Sequence, residues 1–270
     1  MIDRIKSLYF NEQVQLWLGR FSTPLPERWC RVAFYGLLLL GVILRFCELY
    51  FEPGLSRDSI DYVALAVGFA EGGNDFLAAN ADWTLRNPPF LWGIMKRAVQ
   101  LGINAELAGR FICMTLGAAL PMLFYWLAKL IFTRKEPALW VMGIAACHAG
   151  LINLSAQILR DIPFMFFAVL FVCLFYICLG STKRWHWVVA GGALGVALTC
   201  RYEALELFVL PLAFWPYVLW RKNVKIRDFA ILLVLFAFGV LGAVAAVLAI
   251  IGMRAELFIE LFRNLVGRYW

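Results

Sequence analysis

Seven stretches of this sequence are apolar over most of the length that a helix needs to cross a bilayer, which is about 20 residues. Apolar residues make up 63% of the 270 residues, whereas a soluble domain is usually about 45–50% apolar. A soluble core at this length could not bury that excess. We therefore predict an all-α, polytopic membrane helix bundle of about seven spans. The candidate spans are Arg31–Tyr50, Leu107–Phe132, Ala138–Ser155, Pro163–Leu179, Trp187–Leu198, Leu205–Trp220 and Phe229–Gly252.

The fifth and sixth stretches are short, and only the polar segment Thr199–Glu203 separates them. They fit two tilted spans joined by a tight hairpin or one re-entrant pair, and the basic residues favour two spans. Short loops rich in Lys and Arg stay in the cytoplasm, and a count of seven puts all the basic segments on that side. The N-terminus is then cytoplasmic and the C-terminus outside. These basic residues are Arg20, Arg28, Arg134, Lys135, Lys183, Arg184, Arg221, Lys222, Lys225 and Arg227.

The chain divides into a membrane domain and two amphipathic ends. The parts are residues 1–28, a cytoplasmic interfacial helix without a cleavable signal; residues 29–253, the transmembrane domain; and residues 254–270, an amphipathic segment on the outer face.

The long loop over residues 51–106 falls on the outer side in this topology, and its composition is that of a structured segment. Apolar residues recur at helical spacing over Asp58–Glu71 and again over Pro89–Leu101. Gly72–Gly73 and Asn87–Pro88–Pro89 punctuate the two patterns. We predict two helices that lie along the outer interface.

Composition excludes several classes of function. The net charge of +7 comes from Lys and Arg scattered between apolar runs, with no basic stripe that would bind nucleic acid. The seven cysteines form no CxxC pair and no Cys/His ligand spacing, so we interpret them as small core residues and not as disulfides. The two histidines, His148 and His186, are far apart, and we expect core or interface roles for both.

Three polar clusters converge on the predicted outer face: Ser56–Tyr62 after the first span, Gln157–Pro163 before the fourth, and Thr199–Glu203 between the fifth and sixth. Charged groups at membrane depth are costly and usually mark function. These clusters stand at helix ends, where the cost is lower. Their shared face, beside the structured loop, is what favours a functional site.

Structural alternatives exist for each cluster. Asp58 and Asp61 have the spacing of an N-cap and an N3 acid. Asp161, two residues before a proline, is a good helix start. An interfacial ion pair would explain Arg201 and Glu203 equally well.

Polar residues within the spans are few, and they bear on a different function. Arg45 and Glu48 are three residues apart on the first span and can pair on one helix face. With Asn153 in the third span, they are also the only sign of a small transporter, which would carry polar groups near mid-span. A non-catalytic membrane subunit is a further alternative.

The order of the clusters resembles the GT-C superfamily of membrane glycosyltransferases, in particular the protein O-mannosyltransferase and aminoarabinose-transferase branch. The stretch Asp58–Tyr62 is similar to the Asp-Glu-x-x-Tyr motif after that family's first span, and Asn87–Leu91 to its Pro-Pro turn. Arg110 resembles the Arg that opens the second span, and Gln157–Phe166 the segment with a further acid before the fourth. Ser59 replaces the motif's second acid, Cys200-Arg201 replaces Lys-Gly, and the chain has fewer spans than family members typically have.

The resemblance implies transfer of a sugar from a polyprenyl-phosphate donor to an acceptor on the outer face, by direct displacement with inversion. The acceptor is a glycan, a lipid or a protein, and the donor's chain lies in membrane lipid. Asp58 is the expected general base and Asp161 a second acid; oxygen ligands from these two residues would hold a divalent metal ion. Guanidinium and ammonium groups would bind the donor phosphate. The phosphate-binding candidates are Arg201, Arg160, Arg57 and Lys96, and the acceptor-binding or supporting candidates are Asp61, Tyr62, Glu203 and Asn87.

Overall fold

The structure is a computed structural model that describes residues 25–51, 54–132, 134–181, 183–214, 216–217, 226–260 and 263. The helix predicted over residues 1–28 lies almost entirely outside this part of the chain, and so does most of the predicted C-terminal segment, of which residues 255–260 are helical.

Within those ranges the fold is all-α, as predicted, with no β-strand. A 3-10 helix spans Tyr202–Phe208. The α-helices are α1 (Glu27–Phe51), α2 (Arg57–Ala79), α3 (Ala81–Arg86), α4 (Pro89–Gln100), α5 (Ala105–Ile131), α6 (Lys135–Cys147), α7 (Ala149–Ala156), α8 (Asp161–Gly180), α9 (Trp185–Cys200), α10 (Val209–Ala213) and α11 (Ile226–Ile251).

Four of the described helices, α1, α5, α8 and α11, are long and apolar enough to cross a membrane. The bent pair α6 and α7 makes a fifth if it counts as one span. The polytopic membrane class is therefore confirmed, but the count of seven spans is not. Because the predicted sidedness depends on that count, the cytoplasmic N-terminus stays a prediction.

The third predicted span, Ala138–Ser155, is not straight. Its two helices meet at an angle of 52°. The break is at His148, whose backbone (φ −68°, ψ 112°) leaves the helical region. The His148 ring then caps α7, since its Nδ1 accepts a hydrogen bond from the Leu151 amide at 3.3 Å. A side chain that satisfies the first amides of a new helix stabilises such a break.

The sixth predicted span, Leu205–Trp220, is not one continuous helix in the described residues. The chain forms the 3-10 helix and then the short α10. Pro211 lies inside α10 and Pro216 follows it. A proline lacks the amide that an α-helix needs in its interior, which is one reason the pattern fails to give a long helix here.

The two helices predicted in the first loop are present. α4 matches its prediction to within one residue, whereas α2 runs eight residues further than predicted, to Ala79. Its kink is at Gly73, which has φ 60° and ψ −150°, a backbone conformation that favours glycine. Together with α11, these helices enclose a core that includes Tyr62, Leu65 and Trp92. Their predicted position at the bilayer interface stays a prediction.

Close packing of α9 against α11 sets the position of the segment that follows α9. A Cβ atom added at Gly191 would lie 2.1 Å from the Phe236 carbonyl oxygen, and one at Gly239 would lie 2.1 Å from that of Val188. Small residues allow helix backbones in a membrane to approach this closely. Through this contact, α11 supports α9, the helix that leads to Arg201.

Candidate active site

The site is built around Arg201, at the junction of α8 and α9. These helices pack side by side, and the first residue of α8, Asp161, meets Arg201, which follows the last residue of α9. Arg201 Nη1 donates to Asp161 Oδ1 at 2.5 Å, and Nη2 donates to Glu203 Oε1 at 3.0 Å. The guanidinium carbon also lies 5.5 Å from the centroid of the Phe164 ring. Arg201 is thus clamped by two carboxylates and an aromatic ring.

A second arginine lies beside this clamp. Arg160 immediately precedes α8, and its Nη1 donates to the Arg86 carbonyl oxygen at 2.7 Å, which ties the end of α3 to the site. The pKa of Glu203 is lowered, chiefly by its hydrogen bond from Arg201, and the charge of Arg160 contributes to the same shift. The cluster therefore contains at least two cations that act on the same carboxylate.

The start of α2 belongs to the same neighbourhood through Tyr62. This side chain is only 2% exposed, and burial raises the pKa of its hydroxyl. The charges of Arg160, Asp161 and Asp58 also act on that pKa, with Arg160 lowering it and the two carboxylates raising it. Such coupling requires the groups to be near one another. Because Asp161 also binds Arg201, residues from the three predicted clusters are brought together.

Asp58 lies in the first turn of α2 and is exposed. It is not the N-cap, because Ser56 has that role and accepts a hydrogen bond from the Ser59 amide at 3.2 Å. Asp161 is likewise not a cap: α8 begins at this residue, and its carboxylate binds Arg201 instead. At the start of α2, Arg57 is exposed and Asp61 is half-buried.

Lys96 and Asn87 are engaged elsewhere. Lys96 is 6% exposed; its Nζ donates to the Ile251 carbonyl oxygen at 3.0 Å and lies 4.4 Å from the centroid of the Phe69 ring. It satisfies the end of α11, where a cation also complements the helix dipole. Asn87 donates from Nδ2 to the Trp83 carbonyl oxygen at 3.1 Å, a local contact.

Two aromatic residues of the site had no role in the sequence prediction. Phe164 packs against the Arg201 guanidinium. Burial raises the pKa of Tyr202, and the charge of Arg160 lowers it, so this phenol is close to the second arginine. The sequence contained a signal for both. Tyr202 lies within the cluster Thr199–Glu203, and Phe164 is three residues after Asp161. An aromatic ring at such a position can stack on a guanidinium group.

The described side chains suit a metal ion poorly. Within that part of the chain, no group of three or more His, Cys, Asp or Glu side chains is placed to hold one. One oxygen of Asp161 already binds Arg201. The divalent ion stays a prediction, and no chemical step below depends on it.

Carboxylates and guanidinium groups thus gather where one membrane helix begins and its neighbour ends. In an all-helical, multi-span protein, such a cluster is typical of a site for a charged substrate at the membrane. The sequence model of the family described as dolichyl-phosphate-mannose-protein mannosyltransferase matches residues 36–262, and the chain belongs to that family. It is a GT-C membrane glycosyltransferase that uses a polyprenyl-phosphate-linked sugar donor. No curated protein and no solved structure gives a significant match.

Proposed function

We propose that the protein transfers a hexose, with mannose the first to test, from a polyprenyl-phosphate carrier to an acceptor hydroxyl on the non-cytoplasmic face. The ion pair between Asp161 and Arg201, with the start of α2 near it through Tyr62, carries this proposal. The family description supplies mannose as the sugar and a protein as the acceptor.

Asp58 is the proposed general base. It is exposed at the start of α2, so an acceptor can reach it, and the buried Tyr62 lies behind it. The acceptor oxygen attacks the anomeric carbon while Asp58 takes the hydroxyl proton. The bond from that carbon to the phosphate oxygen breaks, and the electron pair leaves with the polyprenyl phosphate. A single displacement of this kind inverts the anomeric configuration.

Arg160 and Arg201 are the proposed phosphate ligands. Arg160 uses one terminal nitrogen on the Arg86 carbonyl oxygen and keeps further donors. Asp161 and Glu203 hold the Arg201 guanidinium in one orientation before the donor arrives. A fixed cation stabilises the charge that grows on a leaving phosphate without reorganising during the reaction. Asp161 is thus proposed to position Arg201. Lys96 is not among the proposed phosphate ligands, because it binds the carbonyl oxygen at the end of α11.

The test of the base is Asp58→Asn, which keeps the size of the side chain and removes its basicity. Membranes with equal amounts of each variant would be given labelled polyprenyl-phosphate mannose and a hydroxyl-bearing peptide. We expect transfer to fall by about 100-fold or more. Asp75→Asn is the matched control, because Asp75 is an exposed acid near the other end of α2. Near-parental turnover in Asp58→Asn would remove Asp58 from the mechanism, and retention at the product's anomeric centre, read by NMR, would refute the single displacement.

A further inference from the structure

A polar row crosses the contact between α1 and α7, away from the Arg201 cluster. Asn153 Nδ2 donates to Glu48 Oε1 at 2.9 Å, and Gln157 Nε2 donates to Asn153 Oδ1 at 3.1 Å. Glu48 lies on a helix that is long and apolar enough to span a membrane. Glu48 is three residues from the end of that helix, and an ionisable side chain within a membrane-spanning helix usually has a function.

Two cavities open on this row and share Glu48 and Asn153 in their walls. The smaller, about 280 Å³, is also lined by Gly54 and Gln157. The larger, about 630 Å³, is mainly apolar and runs along α1 to the bend between α6 and α7, past Leu44, Phe51 and Ile152. Together they form a groove with a polar end and an apolar end. This distribution of polarity matches that of an amphiphilic ligand.

The Glu48 carboxylate has no cationic partner among the described residues. The pairing with Arg45 that their spacing predicted is wrong. Arg45 turns away and donates to the Gly41 carbonyl oxygen at 2.8 Å and to the Ser155 hydroxyl at 3.2 Å. The described contacts give Glu48 one neutral donor, Asn153. The groove thus presents a negative charge and amide oxygens, and it lacks the complementary cation.

We propose that this groove binds a bilayer lipid with a primary ammonium headgroup. The three N–H donors of an ammonium match the acceptors of Glu48 and Gln157, and a charge-assisted bond to the carboxylate supplies the missing cation. An acyl chain fills the apolar cavity beside Leu44 and Phe51. A quaternary choline headgroup has no N–H to donate, so the groove discriminates against it.

The groove adjoins the segments that carry Asp58 and Asp161, two of the site's carboxylates. Gly54 is four residues before Asp58, and Gln157 is four residues before Asp161. Four residues span at most about 14 Å when extended. A bound lipid therefore lies next to the active site without occupying it, and its binding can be measured independently of sugar transfer.

The test uses the full chain in nanodiscs of phosphatidylethanolamine and phosphatidylcholine, mixed in equal amounts with identical acyl chains. The lipids retained after transfer to detergent would be counted by native mass spectrometry. We expect the parent to retain the ethanolamine lipid about tenfold over the choline lipid. Glu48→Gln keeps the acceptor for Asn153 but removes the charge, and we expect near-equal retention. Glu71→Gln, an exposed acid on α2, is the matched control and should behave as the parent.

Three results would overturn the proposal: equal retention of both lipids by the parent, an unchanged preference in Glu48→Gln, or preferential retention of phosphatidylglycerol when that lipid is added. A series of N-methylated ethanolamine lipids gives a readout on the parent protein alone. Retention should fall with each methyl group that replaces an N–H. A flat series would contradict recognition of the ammonium even if the Glu48 variant failed to fold.

Discussion

Arg201 and Arg45 are both cations held within the helical bundle, but their partners differ. Arg201 follows α9, its side chain is 28% exposed, and it binds the carboxylates of Asp161 and Glu203. Arg45 lies within α1, is 0% exposed, and donates to the Ser155 hydroxyl and to backbone carbonyl oxygens. The described residues give Arg45 no carboxylate partner.

The two environments show two uses of a guanidinium group in a membrane bundle: Arg45 binds backbone oxygens at a bend, and Arg201 is held by carboxylates. One of the oxygens bound by Arg45 belongs to Ala146, in the last turn of α6, where the chain bends. A cation at a helix C-terminus satisfies carbonyl groups that have no partner within the helix. Arg45 therefore stabilises the bend. Arg201 is oriented by charge and still reaches solvent, which its proposed role as a phosphate ligand requires.

The largest expected effect comes from making the same substitution at both arginines. Arg201→Met removes the charge proposed to bind phosphate, and we expect sugar transfer to fall by about 100-fold. Arg45→Met removes the hydrogen bonds at the bend, which costs about 1–3 kcal/mol of stability, but it leaves the Arg201 cluster intact. We expect Arg45→Met to keep transfer near the parental rate. Initial rates in membranes at matched expression would measure both.

This comparison breaks if the two variants lose activity together, since Arg45 would then contribute to transfer and not only to packing. Donor saturation separates the remaining possibilities. A raised KM for the donor in Arg201→Met supports phosphate binding, whereas an unchanged affinity of that variant for the donor would rule it out.

The next effect concerns the helix contact that positions Arg201. Gly191→Ala places a Cβ 2.1 Å from a backbone oxygen of α11, which a rigid main chain cannot accommodate without shifting. We expect a loss of about 1–3 kcal/mol of stability and a matching loss of transfer. Gly192 is the control on the same helix, because the nearest atom to its added Cβ is 4.0 Å away.

Gly192→Ala should be neutral or slightly stabilising, since alanine favours a helix over glycine by about 1 kcal/mol. Thermal unfolding in detergent, followed by tryptophan fluorescence, would measure both variants. Equal midpoints for the two variants would show that the α9–α11 contact is looser than the structure indicates.

The sequence predicted which polar segments come together, but it did not predict the course of the spans. Asp161, Arg201 and Glu203 could be singled out because they form polar clusters between apolar stretches, and the structure pairs them, while their roles stay predictions. The bend at His148 could not be found: no proline or paired glycines mark it, and it depends on a ring nitrogen that caps α7 and on Arg45 from another helix. Local composition does not contain such tertiary contacts.

Side-chain direction was the second limit. The spacing of Arg45 and Glu48 permits a pair on one helix face, but spacing does not fix the rotamer. Arg45 instead donates a hydrogen bond to Ser155, and Glu48 accepts one from Asn153. Lys96 was placed among the phosphate ligands because it is basic and predicted to lie outside. Its contact with the end of α11 joins residues 155 positions apart, which no local pattern could reveal.

The smallest effect tests whether charge orients Arg201, which distinguishes it from Arg45. The pKa of Glu203 is lowered from its ordinary value of 4.5 in the folded protein, with the hydrogen bond from Arg201 as the largest cause. A lowered folded-state pKa stabilises the protein above the unfolded value, and this stabilisation is lost as the pH falls through the folded value. The parent should therefore unfold at a higher temperature than Glu203→Gln at pH 7, by about 2 °C or less because the pair is partly exposed. Below pH 4.5 the two midpoints should converge. A difference that stays constant from pH 7 to pH 3 would mean that the glutamate contributes by packing, and the clamp on Arg201 would then rest on Asp161 alone.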